Sequence, residues 1–262
     1  AVRFTVFQAL LSAILSCLAA IPVAGALARR RFCGRGLLIT LMGAPFILPV
    51  IVAVLGLLAV FGRSGLLGQS IAVFGVEPPS IYGLQGILLA QVFFTPPQAP
   101  RMILHGWQAM PAEHFRLAPS LGFDNFAIWR NLEAPMLRRV LPGAFLVIFL
   151  ICTTSFTVAL ALGGGPRSTT VELAIYQAFR FDFDLGRAAL LGLVQVAICV
   201  LAVATARLGA GEQTMGRGMD RAILSTTIPI RWFDYPTLVI AALFLLSPLA
   251  MILLSGLPRI FV

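Results

Sequence analysis

The chain has no lysine. All 19 of its basic residues are arginines and 10 residues are acidic, so only 11% of its 262 residues carry charge, against about 25% in a soluble globular domain. A water-soluble fold coats itself with polar side chains, and this chain has too few to do so. Without lysine there is no P-loop of the usual kind, because its ammonium must reach the nucleotide phosphates. Any ATP hydrolysis tied to this chain therefore belongs to another subunit. His105 and His114 stand nine apart, so there is no His-Glu-x-x-His zinc motif, and Gly-x-Ser-x-Gly is absent. Cys17, Cys33, Cys152 and Cys199 show neither metal-ligand spacing nor a disulfide framework, and no metal site is expected. The long apolar runs carry no ionisable residue at their centres, which argues against a proton pump or a carboxylate-driven exchanger.

What the chain has is hydrocarbon. Hydrophobic residues make up 59% of it, and the mean hydropathy is +0.97. The net charge of +9 would suit nucleic acid, but the arginines lie between long apolar runs. The expected partner is the lipid bilayer and not nucleic acid. Charge-free windows cover residues 4–28, 36–62, 78–100, 140–166, 188–206 and 235–258. A membrane-crossing helix needs about 20 apolar residues, and backbone groups in lipid must be satisfied internally. The windows predict six transmembrane helices in an all-α polytopic bundle. The short window 64–76, with Gly65, Gly68 and Gly75, is expected to be a loop or interfacial segment.

Arginine distribution predicts orientation. Arg29, Arg30, Arg31, Arg35, Arg101, Arg116, Arg130, Arg138, Arg139, Arg207, Arg217, Arg221 and Arg231 fall on one side of the predicted spans. Arg3, Arg63, Arg167, Arg180, Arg187 and Arg259 fall on the other. The richer side is cytoplasmic, so both ends of the chain are expected outside. An outside amino terminus without a signal pattern is expected of a fragment that lacks an upstream span.

The longest cytoplasmic connection, 101–139, reads as two short helices. Met110-Pro111-Ala112-Glu113 is a helix start, with proline at the first helical position and an acid near the positive end of the dipole. Gly122 can stop that helix in a left-handed cap. Asp124 is an N-cap, with Phe123 and Ile128 at the positions of a hydrophobic staple. Phe126, Trp129 and Leu132 form an apolar stripe, and Pro135 kinks or ends the helix. Two roles fit this segment: a helix pair lying in the headgroups, or a docking element for a cytoplasmic partner.

Polar residues inside the apolar windows have two readings as well. Thr153, Thr154 and Ser155 either line a translocation path or satisfy their own helix and its packing. Gln91, Thr95 and Gln98, beside Pro96, Pro97 and Pro100, mark a bent helix facing a cavity or a kink that only shapes the bundle. Gln195 reads as a packing contact. Outside, Thr169 and Glu172 have capping-box spacing, with Leu173, Tyr176 and Phe179 as the apolar face of the helix that follows. Asp182 and Asp184 are exposed acids that a soluble partner can meet.

The stretch Arg116-Leu117-Ala118-Pro119-Ser120-Leu121-Gly122, then nine residues, then Leu132-Glu133-Ala134-Pro135, resembles the cytoplasmic loop of bacterial ABC importer permeases. That loop reads Glu-Ala-Ala, three residues, Gly, nine residues, Ile-x-Leu-Pro. Ala118, Gly122 and Pro135 match; Arg116 stands where the family has Glu. Residues 48–63, 154–167, 172–177 and 181–187 are similar to the fused, two-half permeases of thiamine importers, and next to those of iron(III) importers. The resemblance implies a MetI-like, type I permease fold. It implies five spans of a first half in 1–206 with that half's first span missing, a cytoplasmic linker at 207–234, and the first span of a second half in 235–262. It also implies that the chain binds no cofactor. ATP and magnesium would sit on two copies of a partner ATP-binding subunit coupled through Glu113, Arg116, Leu117, Ala118, Gly122 and Pro135. A periplasmic solute-binding protein would deliver thiamine or its phosphates to a permease in the bacterial inner membrane. The rival of another class is a secondary carrier or channel that needs no ATPase.

Overall fold

A computed structural model describes residues 1–30, 32–75, 77–78, 80–96, 98–165, 168–209 and 233–256. Most of the expected linker 207–234, and the last residues of the expected final span, lie outside the described residues. The described part is helical throughout.

Helix α1 (Val2–Arg29) is the central post. At 1.5 Å per residue its 28 residues reach about 42 Å, more than the hydrocarbon thickness. Its buried face is small: Ala9, Ala13, Ala20, Ala24 and Ala28. Small side chains let neighbouring backbones approach closely, which is how helices associate in lipid. Against it pack α6 (Leu84–Phe94), α7 (Ala99–Gln108), α10 (Ala134–Thr153) and α14 (Asp234–Gly256).

Three of the apolar windows are broken helices. Window 36–62 holds α2 (Arg35–Leu41), α3 (Ala44–Ile47) and α4 (Val50–Phe61). One break falls at Met42-Gly43 and the other at Leu48-Pro49, where proline has no N–H to donate. Window 78–100 holds α6 and the start of α7, parted at Thr95–Gln98. Window 140–166 holds most of α10 and all of α11 (Phe156–Leu162), parted at Thr154 and Ser155. Of the two readings of 64–76, loop or interfacial segment, the loop is overturned: the window holds helix α5 (Leu66–Val73), which prolongs α4 into an apolar stretch, Val50–Val73. Its apolar residues outweighed its glycines. By length and composition, five helical stretches among the described residues are long and apolar enough to cross a membrane: Val2–Arg29, Val50–Val73, Asn125–Thr153, Leu185–Ala206 and Asp234–Leu254.

Contacts sort the two ends as the arginines predict. Arg101 Nη2 donates to Ile39 O at 3.4 Å, and Arg29 meets Glu133 and Asp234. These residues share the arginine-rich end. At the other end the Val171 N–H donates to Thr5 Oγ1 at 2.8 Å.

Candidate functional site

The arginine-rich end carries the helix pair. Helix α8 (Ala112–Ser120) follows α7 after Pro111, so the proline immediately precedes the helix. Gly122 has φ 70°, and the Phe123 N–H donates to Ala118 O at 3.0 Å. That is the left-handed helix stop expected at this glycine. Asp124 caps α9 (Asn125–Ile128), its Oδ1 accepting from the Ala127 N–H at 2.8 Å. Phe115, Ala118 and Ile128 are buried in the bundle core, so the pair is fixed to it.

Pro135 does not end the second helix. It sits in the first turn of α10, directly after a π-helical turn, Trp129–Glu133. The wider turn makes room for a ring that would otherwise clash with a carbonyl one turn back. The helix therefore runs unbroken from Asn125 to Thr153. Nor is the aromatic stripe buried. Phe126 is 64% exposed and Trp129 41%, their rings stacked 6.1 Å apart. Leu117, Leu121 and Glu113 are exposed too, as is Pro135. Arg116 lies in α8; its side chain lies outside the described part. His105 and His114 are exposed.

Sequence reasoning missed what lies behind this pair. Arg29, at 4% exposure, is buried with Glu133 and Asp234. Its Nη2 is 2.8 Å from Asp234 Oδ1, and its Nε lies 3.2 Å from both oxygens of that carboxylate. Its Nη1 is 3.6 Å from Glu133 Oε1. Arg30 adds an Nε–Oδ2 contact of 3.6 Å to Asp234 and stacks over the Tyr235 ring at 4.0 Å. Two guanidinium groups thus face two carboxylates, which is how charges survive burial. The signal available in sequence was only that Arg29 closes an apolar window.

Inside the bundle, the break after Thr153 gathers most of the expected path residues. Helix ends leave carbonyls without partners, and here side chains supply them. The Cys152 carbonyl accepts from Gln8 Nε2 at 3.0 Å, Ser155 Oγ at 2.9 Å and Gln91 Nε2 at 3.3 Å. Gln91 also donates to Gln8 Oε1 at 2.7 Å and to Ser155 Oγ at 2.8 Å. Gln195 Nε2, on α13 (Leu185–Gly209), donates to the Thr153 carbonyl at 3.2 Å. Thr154 Oγ1 bonds Leu150 O at 3.1 Å, and Thr153 Oγ1 bonds Phe149 O at 2.7 Å. Thr95 stands apart from this group, donating to Ser16 Oγ at 2.9 Å beside a mostly apolar cavity of about 380 Å³. Gln98, at the other break, keeps a buried side-chain oxygen without a hydrogen-bond partner among the described residues. Gln8 was missed because one glutamine in an apolar window gives no sign of the carbonyl it serves.

At the opposite end, α12 (Val171–Arg180) is capped by Thr170, not Thr169; Thr170 Oγ1 accepts from the Leu173 N–H at 3.3 Å. Its buried face is Val171, Leu173 and Ala178, while Tyr176 and Phe179 are exposed. Asp184 accepts from the Arg187 N–H at 2.9 Å, capping α13, and Asp182 lies 3.5 Å from Arg187 Nη1. Both acids are exposed yet already engaged.

No family model matches the chain. Among curated proteins it is similar to the thiamine transport system permease protein ThiP of Brucella abortus, with 41% identity over 266 residues, 97% of this chain and 48% of the relative. It is 44% identical to ThiP of Escherichia coli over 271 residues, 98% of this chain and 49% of the relative. More distant is the sulfate transport system permease protein CysW of Synechocystis, 26% identical over 206 residues, 77% of this chain and 74% of that one. The chain spans about half the length of the thiamine permeases it matches.

Proposed function

The chain is a close homologue of bacterial thiamine transport permeases, and on that premise we propose that it is the membrane-embedded part of an ATP-driven thiamine importer of the bacterial inner membrane. It is an all-α membrane helix bundle of the MetI-like kind. ATP is hydrolysed on partner subunits, and a periplasmic binding protein presents the solute. On this reading α14 opens the second half of a fused permease, and its docking onto α1 and α4 supports that division.

The observation that carries the reading is the outward surface of the α8–α9 pair. Leu117, Leu121, Phe126 and Trp129 lie exposed on a segment anchored in the core by Phe115, Ala118 and Ile128. Exposed apolar side chains on a rigid mount suit a protein partner. The mount continues through the π-helical turn into α10, so a push on the pair moves a span. Two packed states of such a bundle would open it alternately to either side. The breaks at Thr95–Gln98 and at Thr154–Ser155 then lie along the route, where irregular backbone is tolerated beside a cavity. Gln91, Gln98, Thr153, Thr154 and Ser155 are proposed to border it, with Thr95 on the cavity side. Asp182 and Asp184 are proposed to face the binding protein.

The test is thiamine uptake by the full-length permease, expressed with its ATP-binding subunit and binding protein. Exchanging Leu117 and Trp129 together for serine should abolish co-purification of the ATP-binding subunit and uptake, with the permease still folded. Uptake that persists without any ATP-binding subunit would favour a secondary carrier and end this reading.

A further inference from the structure

Thiamine carries a fixed positive charge on its thiazolium nitrogen, yet the apolar windows hold no acid to face it. The fold supplies one from outside them. Thr170 and Val171 are buried, and the Val171 N–H is tied to Thr5 of α1. This draws the start of α12 into the bundle and takes Glu172 with it. The start of α11 lies against it, with the Phe156 backbone N–H near enough to the Glu172 carboxyl to favour its charged form. Its side-chain oxygen Oε2 is buried and has no hydrogen-bond partner among the described residues. No arginine or histidine lies within ion-pair distance of Glu172 among the described residues. Asp182, Glu133 and Asp234 all have such a partner.

Aromatic rings stand beside this carboxyl. Tyr176 is one helical turn beyond Glu172, on the same face of α12. Its ring lies 5.2 Å from Phe156, tilted by 54°, and 5.9 Å from Phe181 at 85°. Three contiguous rings at steep angles form a corner instead of a stack. They keep free surface, with Tyr176 37% and Phe181 68% exposed. A carboxylate next to aromatic faces is the chemistry that holds a quaternary nitrogen.

We propose that Glu172, with Phe156, Tyr176 and Phe181, forms a receiving site for an organic cation at the extracytoplasmic end of the bundle, beside the α10–α11 break. The proposal rests on the thiamine-import reading and names the residues that would accept the cation there. A bound cation supplies the counter-charge that the carboxyl lacks. Burial pushes the Glu172 carboxyl above its usual range, chiefly by desolvation and against the opposing pull of the nearby Phe156 N–H. An arriving cation would reverse that direction.

The experiment uses the full-length permease–ATPase complex in detergent without binding protein, so that this chain meets the probe directly. Benzyltrimethylammonium is the charged probe, and neopentylbenzene, in which carbon replaces nitrogen, is its uncharged match. The charged probe should raise the unfolding temperature of the wild type and the uncharged one should not. Glu172→Gln and Tyr176→Leu should each weaken that response about tenfold in probe concentration. The same variants should raise the KM for thiamine uptake. Equal responses to both probes, or an undiminished response in both variants, overturn the site. If the charged probe binds as described but the wild-type complex takes up no thiamine, the thiamine reading fails and the cation site stands. If uptake is normal in wild type and in both variants, the site alone falls.

Discussion

Gly25 lies directly beneath the Arg29 guanidinium: a Cβ built at residue 25 would meet both Nη1 and Nη2 at 3.0 Å. That guanidinium is buried and pinned by Asp234 and Glu133, so it has little freedom to yield. Alanine at a helix interior normally gains about 1 kcal/mol over glycine. Here the gain should be more than cancelled by displacing a buried charge from its partners. Gly25→Ala is expected to lose a net 1–2 kcal/mol or so, read as a lower unfolding temperature in detergent.

The same network separates breaking an ion pair from replacing it. Asp234→Asn leaves Arg29 buried with its nearest carboxylate gone, at a cost of about 3–5 kcal/mol. Removing all four charges together with Arg29→Met, Arg30→Met, Glu133→Leu and Asp234→Leu should cost much less, since apolar replacements of buried ion networks are often neutral. The comparison needs only unfolding curves of the two variants. If Asp234→Asn unfolds like wild type, the contact between α1 and α14 is not the one described.

Carbonyls at the α10 break differ in how many donors serve them. Among the described residues, the Thr153 carbonyl receives Gln195 as its one side-chain donor, whereas the Cys152 carbonyl has Gln8, Gln91 and Ser155. Gln195→Leu should therefore cost about 1–3 kcal/mol, the penalty for orphaning a buried acceptor. Gln91→Leu should cost less at that carbonyl, and combining it with Gln8→Leu should cost more than the two singles added. A double-mutant cycle on unfolding free energies gives the answer.

Much of this was legible because lipid makes charge placement strict. Apolar windows located the long helices, and arginine counts sorted the two ends that Arg29–Glu133 and Thr5–Val171 now mark. Local capping was legible at Gly122 and Asp124, whose conformations follow from their own side chains. At Thr169 and Thr170 two threonines compete for one cap, and spacing alone chose the wrong one. What sequence could not show were pairings over long separations. Gln8 and Cys152 lie 144 residues apart, and Arg29 and Asp234 lie 205 apart. Of the two readings of Pro135, kink or helix end, the end fails because a proline can be absorbed by a π-helical turn. Phe126 and Trp129 were legible as a stripe, but periodicity does not say whether a stripe faces the core or a partner.

Gly122 should be less replaceable than its exposed position suggests. Its φ of 70° is costly for a residue with a Cβ, by roughly 1–2 kcal/mol, and more so for a β-branched one. Gly122→Val is expected to shift the angle between α8 and α9 and weaken co-purification of the ATP-binding subunit. Gly122→Asn, which tolerates the left-handed region, should retain it. Equal retention by both would mean that the turn does not set the docking geometry.

Glu172 gives the molecule a pH dependence of definite sign. Burial raises its carboxyl pKa in the folded chain above the ordinary 4.5, so the folded state keeps a proton that the unfolded state has already released. In that interval the folded state binds more protons, and stability falls as pH rises. The favourable contribution is fully present below the unfolded carboxyl's pKa and is lost as pH climbs through the folded one. Glu172→Gln cannot release a proton there. Without a cation present, the variant should match wild type in acid and unfold at a higher temperature at pH 7, with the gap opening upward from about pH 4.5. Adding benzyltrimethylammonium at pH 7 should narrow that gap from the wild-type side, because the cation stabilises the charged carboxylate and has nothing to pair with in the amide. A gap that is constant with pH would show that residue 172 acts through packing and not through its proton.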